Sequence, residues 1–395
     1  MYKKLTEIPL CRCTYHKGKL YCLAKDLNLL FSIDLQDGSI DLMDAVPGED
    51  VLSSYLSGSI AVWNHTLILA PNKTKKIWLY DLITKQWNGV PIKEADCRES
   101  GGFYQTYIWN NKAFLIGGGY PAILCLDLEK NTCDHITKPY KEMMDRNPDS
   151  SYLYFRPNGV RIEDTLYLAS CLDNYVLTFD MASLEHQWIK IGPDSSAYSG
   201  IAWDGTDFWL SPRSNNDIIR WDGRENVKAY PLPDEFSQHS EYVWDACFDG
   251  RQMVFPAVNH ERNIQLDPEN DSLHVYDEHY TLFKRLDNGI VVRQNNNADL
   301  TVTTEKLSVE NSSMEIHSVE SFSEKVFPVS VEADRLRQFY EERNLSIYKE
   351  NTLYYETAGS QILSLKGFLN FANSGFQHRS DSDGTVGQAI WEKIR

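Results

Sequence analysis

The sequence predicts an all-β chain in which one four-stranded antiparallel unit repeats seven times, followed by a helical extension. Three observations carry this expectation. Aromatic residues make up 12% of the 395 residues and occur among many Val, Ile, Asn, Asp and Gly, a mixture of strand formers and turn formers. A first marker, apolar strand, tight polar turn, apolar strand, recurs along the chain. It reads TYHKGKLYCLA (14–24), AVWNHTLILA (61–70), YIWNNKAFLIG (107–117), VRIEDTLYLAS (160–170), IAWDGTDFWLS (201–211), ACFDGRQMVF (246–255) and KRLDNGIVVR (284–293). A second marker is clearest in IWLYDLITKQWNGV (77–90): an apolar strand runs into an Asp, a short turn follows, and another strand begins.

The elements follow in order. Turn marks at His16, Asn64, Asn110, Glu163, Asp204, Asp249 and Asp287 are separated by 48, 46, 53, 41, 45 and 38 residues. That is the spacing of four-stranded blades, so the fold expected for residues 1–320 is a seven-bladed β-propeller. Six blades plus a β-extension is the alternative, because the last unit is irregular. The second marker supplies each outer hairpin, with its Asp at 34, 81, 127, 180, 222 and 267 expected to cap the turn by accepting backbone N–H groups. The seventh unit lacks this Asp; Asp299–Thr304 and Met314–Val319 are its expected outer strands, and Lys3–Ile8 is expected to complete that blade and close the ring. Residues 321–395 change character. Val331–Leu345 and Leu353–Ala372 carry apolar residues at helical spacing, and Val386–Ile394 reads as a last helix. This extension is expected to pack on or beside the propeller, or to dock a partner.

With these residues in place, the chain resembles the kelch-like and WD-repeat propellers. Gly117-Gly118 ahead of Asp127 match the kelch glycine pair, and Tyr80-Asp81 with Trp87, and Phe179-Asp180 with Trp188, match its later part. Other units depart from that pattern, with Pro71, Ser170, Pro212 and Pro256 near the glycine-pair position. The resemblance implies architecture only, since propellers of this kind host both binding and catalysis.

Charge and composition exclude several roles. The formal charge is −17, which disfavours non-specific nucleic-acid binding and anionic membranes. No run approaches the roughly 18 apolar residues of a membrane span. The first residues lack the apolar core of a secretory signal, so a cytoplasmic location and free thiols for the eight cysteines are expected. Cys11 and Cys13 flank one residue with no matching second pair, too little for a metal site. No Gly-x-Ser-x-Gly, Gly-Lys-Ser/Thr phosphate loop or His-Glu-x-x-His is present, and Gly117–Gly119 runs into Pro121 and another strand rather than a helix, so no cofactor is expected.

The loops joining second to third strands, and fourth strands to the next blade, are long and polar and share one face of a propeller; a site is expected there. Candidate ligand-binding residues on these loops are Tyr104, Arg156, Tyr198, Arg213, Tyr242, Trp244, His260, Arg262 and Arg293, aromatic plates beside guanidinium forks suited to carboxylates or phosphates. The long segment Tyr140–Arg156 is among these loops. The leading expectation is a non-catalytic propeller that binds a protein partner or a polar, anionic ligand through this face. The alternative is an enzyme acting on a carbohydrate or other small polar substrate in the channel, with His239 and His260 as acid/base groups near Glu241 and Asp245.

Overall fold

In a computed structural model, residues 5–92, 102–149, 153–213, 217–233, 236, 245–257, 262–278, 280–286, 289–295, 297–307, 319–345, 355–356 and 362–363 are described. Glu7–Val331 forms one compact unit, and Met1–Thr6 with Glu332–Arg395 the other. The first unit is a ring of seven four-stranded antiparallel blades, each a simple meander. The first strands are Leu10–His16, Ser57–Trp63, Phe103–Trp109, Val160–Ile162, Tyr198–Trp203, Cys247–Phe248 and Tyr280–Arg285.

Middle strands explain why the repeats were visible. Thr66–Pro71 and Lys112–Gly117 are buried at every position but the first, because neighbouring blades cover both faces. Fourth strands such as Ile40–Asp44 and Thr132–Ile136 are mostly half-buried, with Asp41, Thr132 and Asp134 exposed. The core is therefore a set of inter-blade layers. One packs Phe114, Ile116, Leu166, Leu168, Leu177 and Phe179 between the third and fourth blades.

The turn chemistry is as expected. Asp81 accepts from the amides of Ile83 and Thr84 (2.8 and 2.7 Å), and Asp34, Asp127, Asp180, Asp222 and Asp267 each accept a backbone amide two residues on. Backbone amides, foremost those of Thr84, Lys130, Ser183 and Glu269, hold the carboxyls of Asp81, Asp127, Asp180 and Asp267 below the usual range. At the inner hairpins Asn64, Asn110 and Glu163 take φ of 54°, 50° and 52°, the left-handed geometry that tight two-residue turns need.

Closure of the ring differs from expectation. The seventh blade draws all four strands from one stretch, Tyr280–Arg285, Val291–Asn295, Asp299–Leu307 and Val319–Pro328, so its fourth strand begins at Val319, where Met314–Val319 was expected to end. Leu5–Glu7 pairs instead with Ser330–Glu332 in a separate two-stranded sheet. The fourth position is already taken by Val319–Pro328, whose ladder runs unbroken from Asp299↔Pro328 to Lys306↔Ser321. A side chain ties first blade to last: fully buried Gln294 accepts from the Leu10 amide (2.6 Å) and donates to the carbonyls of Ile8 (3.2 Å) and Ala298 (3.3 Å).

Two other expectations need correction. The segment from Tyr140 opens as helix α1 (Lys138–Arg146), not as loop. Pro139 fits a first helical turn, Tyr140 and Met143 bury one stripe, and Tyr140 donates its hydroxyl to the Gly117 carbonyl at 2.8 Å. In the second unit, helix α2 (Ala333–Glu341) lies within the stretch expected to be helical and buries Leu336, Phe339 and Tyr340. Within Leu353–Ala372, however, Tyr355–Glu356 and Ile362–Leu363 pair as a short antiparallel ladder, whose backbone pairing excludes a helix there. The rest of that stretch, and Val386–Ile394, lie outside the described residues.

Candidate functional site: a guanidinium-rich channel mouth

The seven first strands enclose a central channel of about 540 Å³, with Thr14, Ile60, Thr106, Gly159, Ile201 and Cys247 among its lining. The end where those strands begin lies on the loop-rich face, where Arg12, Arg156 and Asp245 directly precede the lining residues Cys13, Pro157 and Ala246 without lining the cavity themselves. There the pairing register slips by one residue in five blades, between Leu10 and Arg12, Ser57 and Ser59, Phe103 and Gln105, Tyr198 and Gly200, and Tyr280 and Leu282. Such bulges bend a strand and re-aim the following side chain, a device common beside binding sites. In the first and third blades the re-aimed residues are Arg12 and Gln105.

Arg12 is held by its own strand and its neighbour: Nη1 donates to the Cys11 carbonyl (2.6 Å) and Nε to the Gly58 carbonyl. Gln105 fixes the backbone of Arg156, its amide donating to the Arg156 carbonyl at 2.5 Å while its own oxygen accepts from the Tyr107 hydroxyl at 2.6 Å. The Arg156 side chain is left with Nε buried and without a hydrogen-bond partner. Arg213, positioned by its amide on the Ala197 carbonyl (2.9 Å), sets its guanidinium beside the Cys171 thiol, which Arg156 also faces. Burial raises the pKa of that thiol while the two arginines oppose the rise.

The fourth charge is Asp245, only 9% exposed. Its amide donates to the Pro256 carbonyl (3.0 Å), and its Oδ1 accepts from the Ala246 amide (3.1 Å). Burial pushes its carboxyl up to about 6, against the lowering effects of the Ala246 amide, Arg156, the Asn158 side-chain amide and Arg12. Gly200 is required here, since a Cβ would stand 2.8 Å from Oδ1. Arg156 and Arg12 thus act on one buried carboxylate, and Arg213 joins Arg156 beside the neighbouring Cys171 thiol, three guanidinium groups to one acid on a chain of formal charge −17. Planar guanidinium forks in a low-dielectric recess are suited to carboxylates and phosphates.

The residues singled out from sequence fall in three places. Arg156 and Arg213 meet at the mouth. Tyr104 occupies the bulge of its strand, half-buried, its ring filling the space left by Gly102 and Gly118. Tyr198 is placed elsewhere: fully buried in an inter-blade layer, it donates its hydroxyl to the Ile191 carbonyl at 2.6 Å and offers nothing to a ligand. Arg262 and Arg293 have local acidic partners, Asp277 at 3.2 Å and Glu324 at 3.3 Å. His239, Tyr242, Trp244 and His260 lie outside the described residues. Arg12 was missed, although a lone arginine inside the otherwise apolar and small LCRCTY was a signal. Asp245 was read only as part of an acid/base group.

No protein-family model and no curated relative matches the chain. Solved structures do. A catalytically inactive virginiamycin B lyase from Staphylococcus aureus, solved with quinupristin, is 14% identical, with 74% of this chain and 96% of that one covered and a TM-score of 0.54. The β-propeller domain of Cps50 (Swd1) from Myceliophteria thermophila is 11% identical, covering 74% and 95%, with a TM-score of 0.52. BamB from Moraxella catarrhalis is 10% identical, covering 75% and 87%, with a TM-score of 0.50. These proteins have different roles, and at such identities the likeness is one of fold alone. The chain is a seven-bladed β-propeller, a fold it shares with these proteins.

Proposed function

We propose that the chain is a binding propeller that takes a small carboxylated or phosphorylated ligand at the channel mouth, without chemical turnover. The observation that carries this reading is the grouping of Arg156 with Arg12 about Asp245 and with Arg213 about Cys171, with Arg156 Nε buried and unpartnered. A buried donor left without an acceptor costs stability, and an anionic ligand would satisfy it. The seven described cysteines are free thiols, which supports a reducing, cytoplasmic setting for the proposal. Among the described residues no helix is long and apolar enough to cross a membrane.

The test is calorimetric titration at low salt with succinate, citrate and inorganic phosphate. Losing one charge-assisted contact costs about 1.5–3 kcal/mol, so Arg156→Gln and Arg213→Gln should each weaken binding by roughly ten- to hundredfold with the melting temperature nearly unchanged. Wild-type protein that binds none of these anions, or variants that bind them equally well, would overturn the reading.

A further inference from the structure

We infer that the ligand of the channel mouth is a zwitterion, with an ammonium group seated on Asp245 and carboxylates on Arg12, Arg156 and Arg213. This rests on the anion-site reading and adds a cationic group to it. The argument starts from what Asp245 does not do. A carboxylate kept only to neutralise neighbouring arginines would be ion-paired with them, yet among the described residues no Lys, Arg or His nitrogen stands within 4.0 Å of it. Its contacts are amides: Ala246 N–H at 3.1 Å, and the Asn158 side chain. An ionised carboxylate has about four lone-pair sites, so acceptor capacity is left over.

The carboxylate is also costly to keep there. It is 9% exposed, it repels an incoming anion, and its Oδ1 would stand 2.8 Å from a Cβ at Gly200. A receptor for simple anions would be better served by a neutral amide at this position. The thiols around it add no charge, since burial raises the pKa of Cys171 and pushes that of Cys247 up to about 12. Among the described groups, Asp245 is therefore an acid faced by Arg156 and Arg12, with Arg213 beside the Cys171 thiol that Arg156 also faces. The complement of that pattern is an ammonium flanked by acids, as in an acidic α-amino acid or the amino terminus of an acidic peptide.

Titrations with L-aspartate, succinate, N-acetyl-L-aspartate and the dipeptide aspartyl-alanine test this. Succinate is aspartate without its amine, and acetylation removes the amine's charge. L-Aspartate should bind wild-type protein at least tenfold more tightly than succinate, and N-acetyl-L-aspartate no more tightly than succinate. Asp245→Asn should bring the aspartate-to-succinate ratio close to one, with succinate tightened. Tighter binding of aspartyl-alanine than of aspartate would assign the site to a peptide amino terminus, and the reverse to a free amino acid; both support the zwitterion. Succinate binding wild-type protein as tightly as aspartate, or a ratio that survives Asp245→Asn, overturns the zwitterion and leaves the anion site standing. Failure of every probe and of inorganic phosphate removes both. The wild-type comparison needs no variant, so the test holds even if Asp245→Asn folds poorly.

Discussion

Replacing Asp245 by Asn should make the folded protein more stable at neutral pH, and the size follows from its surroundings. The folded carboxyl titrates at about 6 against an ordinary value of 3.8, because burial disfavours its charge more than Arg156, Arg12 and the two amides favour it. At about 1.4 kcal/mol per tenfold change in acidity, holding this group ionised in the fold costs about 3 kcal/mol. The sign is that of a raised carboxyl: between 3.8 and about 6 the folded chain keeps a proton that the unfolded chain has lost, so stability falls as pH rises through that window. Above it the whole cost is present; below it the acid is neutral in both states. Asn resembles the protonated acid in shape and hydrogen bonding. Urea unfolding of wild-type and Asp245→Asn protein should therefore show a gain of up to about 3 kcal/mol for the variant near about pH 7.5, shrinking towards zero near about pH 4. A variant less stable than wild type near neutrality, or a difference that does not depend on pH, would refute the reasoning. A gain that coincides with lost ligand discrimination is the trade expected at a binding site that carries strain for its task.

Other outcomes follow from single contacts. Gln294→Leu leaves the buried Leu10 amide and the Ile8 carbonyl without partners, and should cost on the order of 3 kcal/mol in chemical denaturation while opening the join between first and last blades to hydrogen exchange. Gly117→Ala would drive a Cβ into the Tyr120 and Ala122 carbonyls and should lower stability by a few kcal/mol, roughly, a loss seen as a lower melting temperature. Tyr198→Phe removes one buried hydroxyl donor and should cost about 1 kcal/mol, with anion titrations unaltered; weakened binding would contradict its placement between blades. Asp81→Ala removes the acceptor of two turn amides and should lower the melting temperature with no change in ligand binding.

Propeller architecture was legible because its causes are local and repeated. A strand covered on both faces must be apolar at nearly every position, as in Leu67–Pro71 and Ala113–Gly117, and a tight turn must carry Asn, Asp or Gly. Both constraints act within about ten residues, so they survive in the sequence when overall similarity does not. Ring closure did not survive in that way. Nothing near Gln294 announces a partner at Leu10, 284 residues away, because a single side chain makes the bond and no periodic pattern accompanies it.

The site divides along the same line. Long polar loops pointed to the face on which Arg156 and Arg213 lie, and both were already visible as unusual residues on it. The sequence could not distinguish them from Arg262 and Arg293, whose partners Asp277, on the paired strand, and Glu324, two strands away in the same blade, come within ion-pair distance only after the blades form. It could not place Arg12 and Asp245 together, since the first and sixth blades meet across the channel only when the ring is closed. Composition and spacing determined the blades; tertiary structure decided which charges are left without partners, because that depends on distances between strands far apart in the chain.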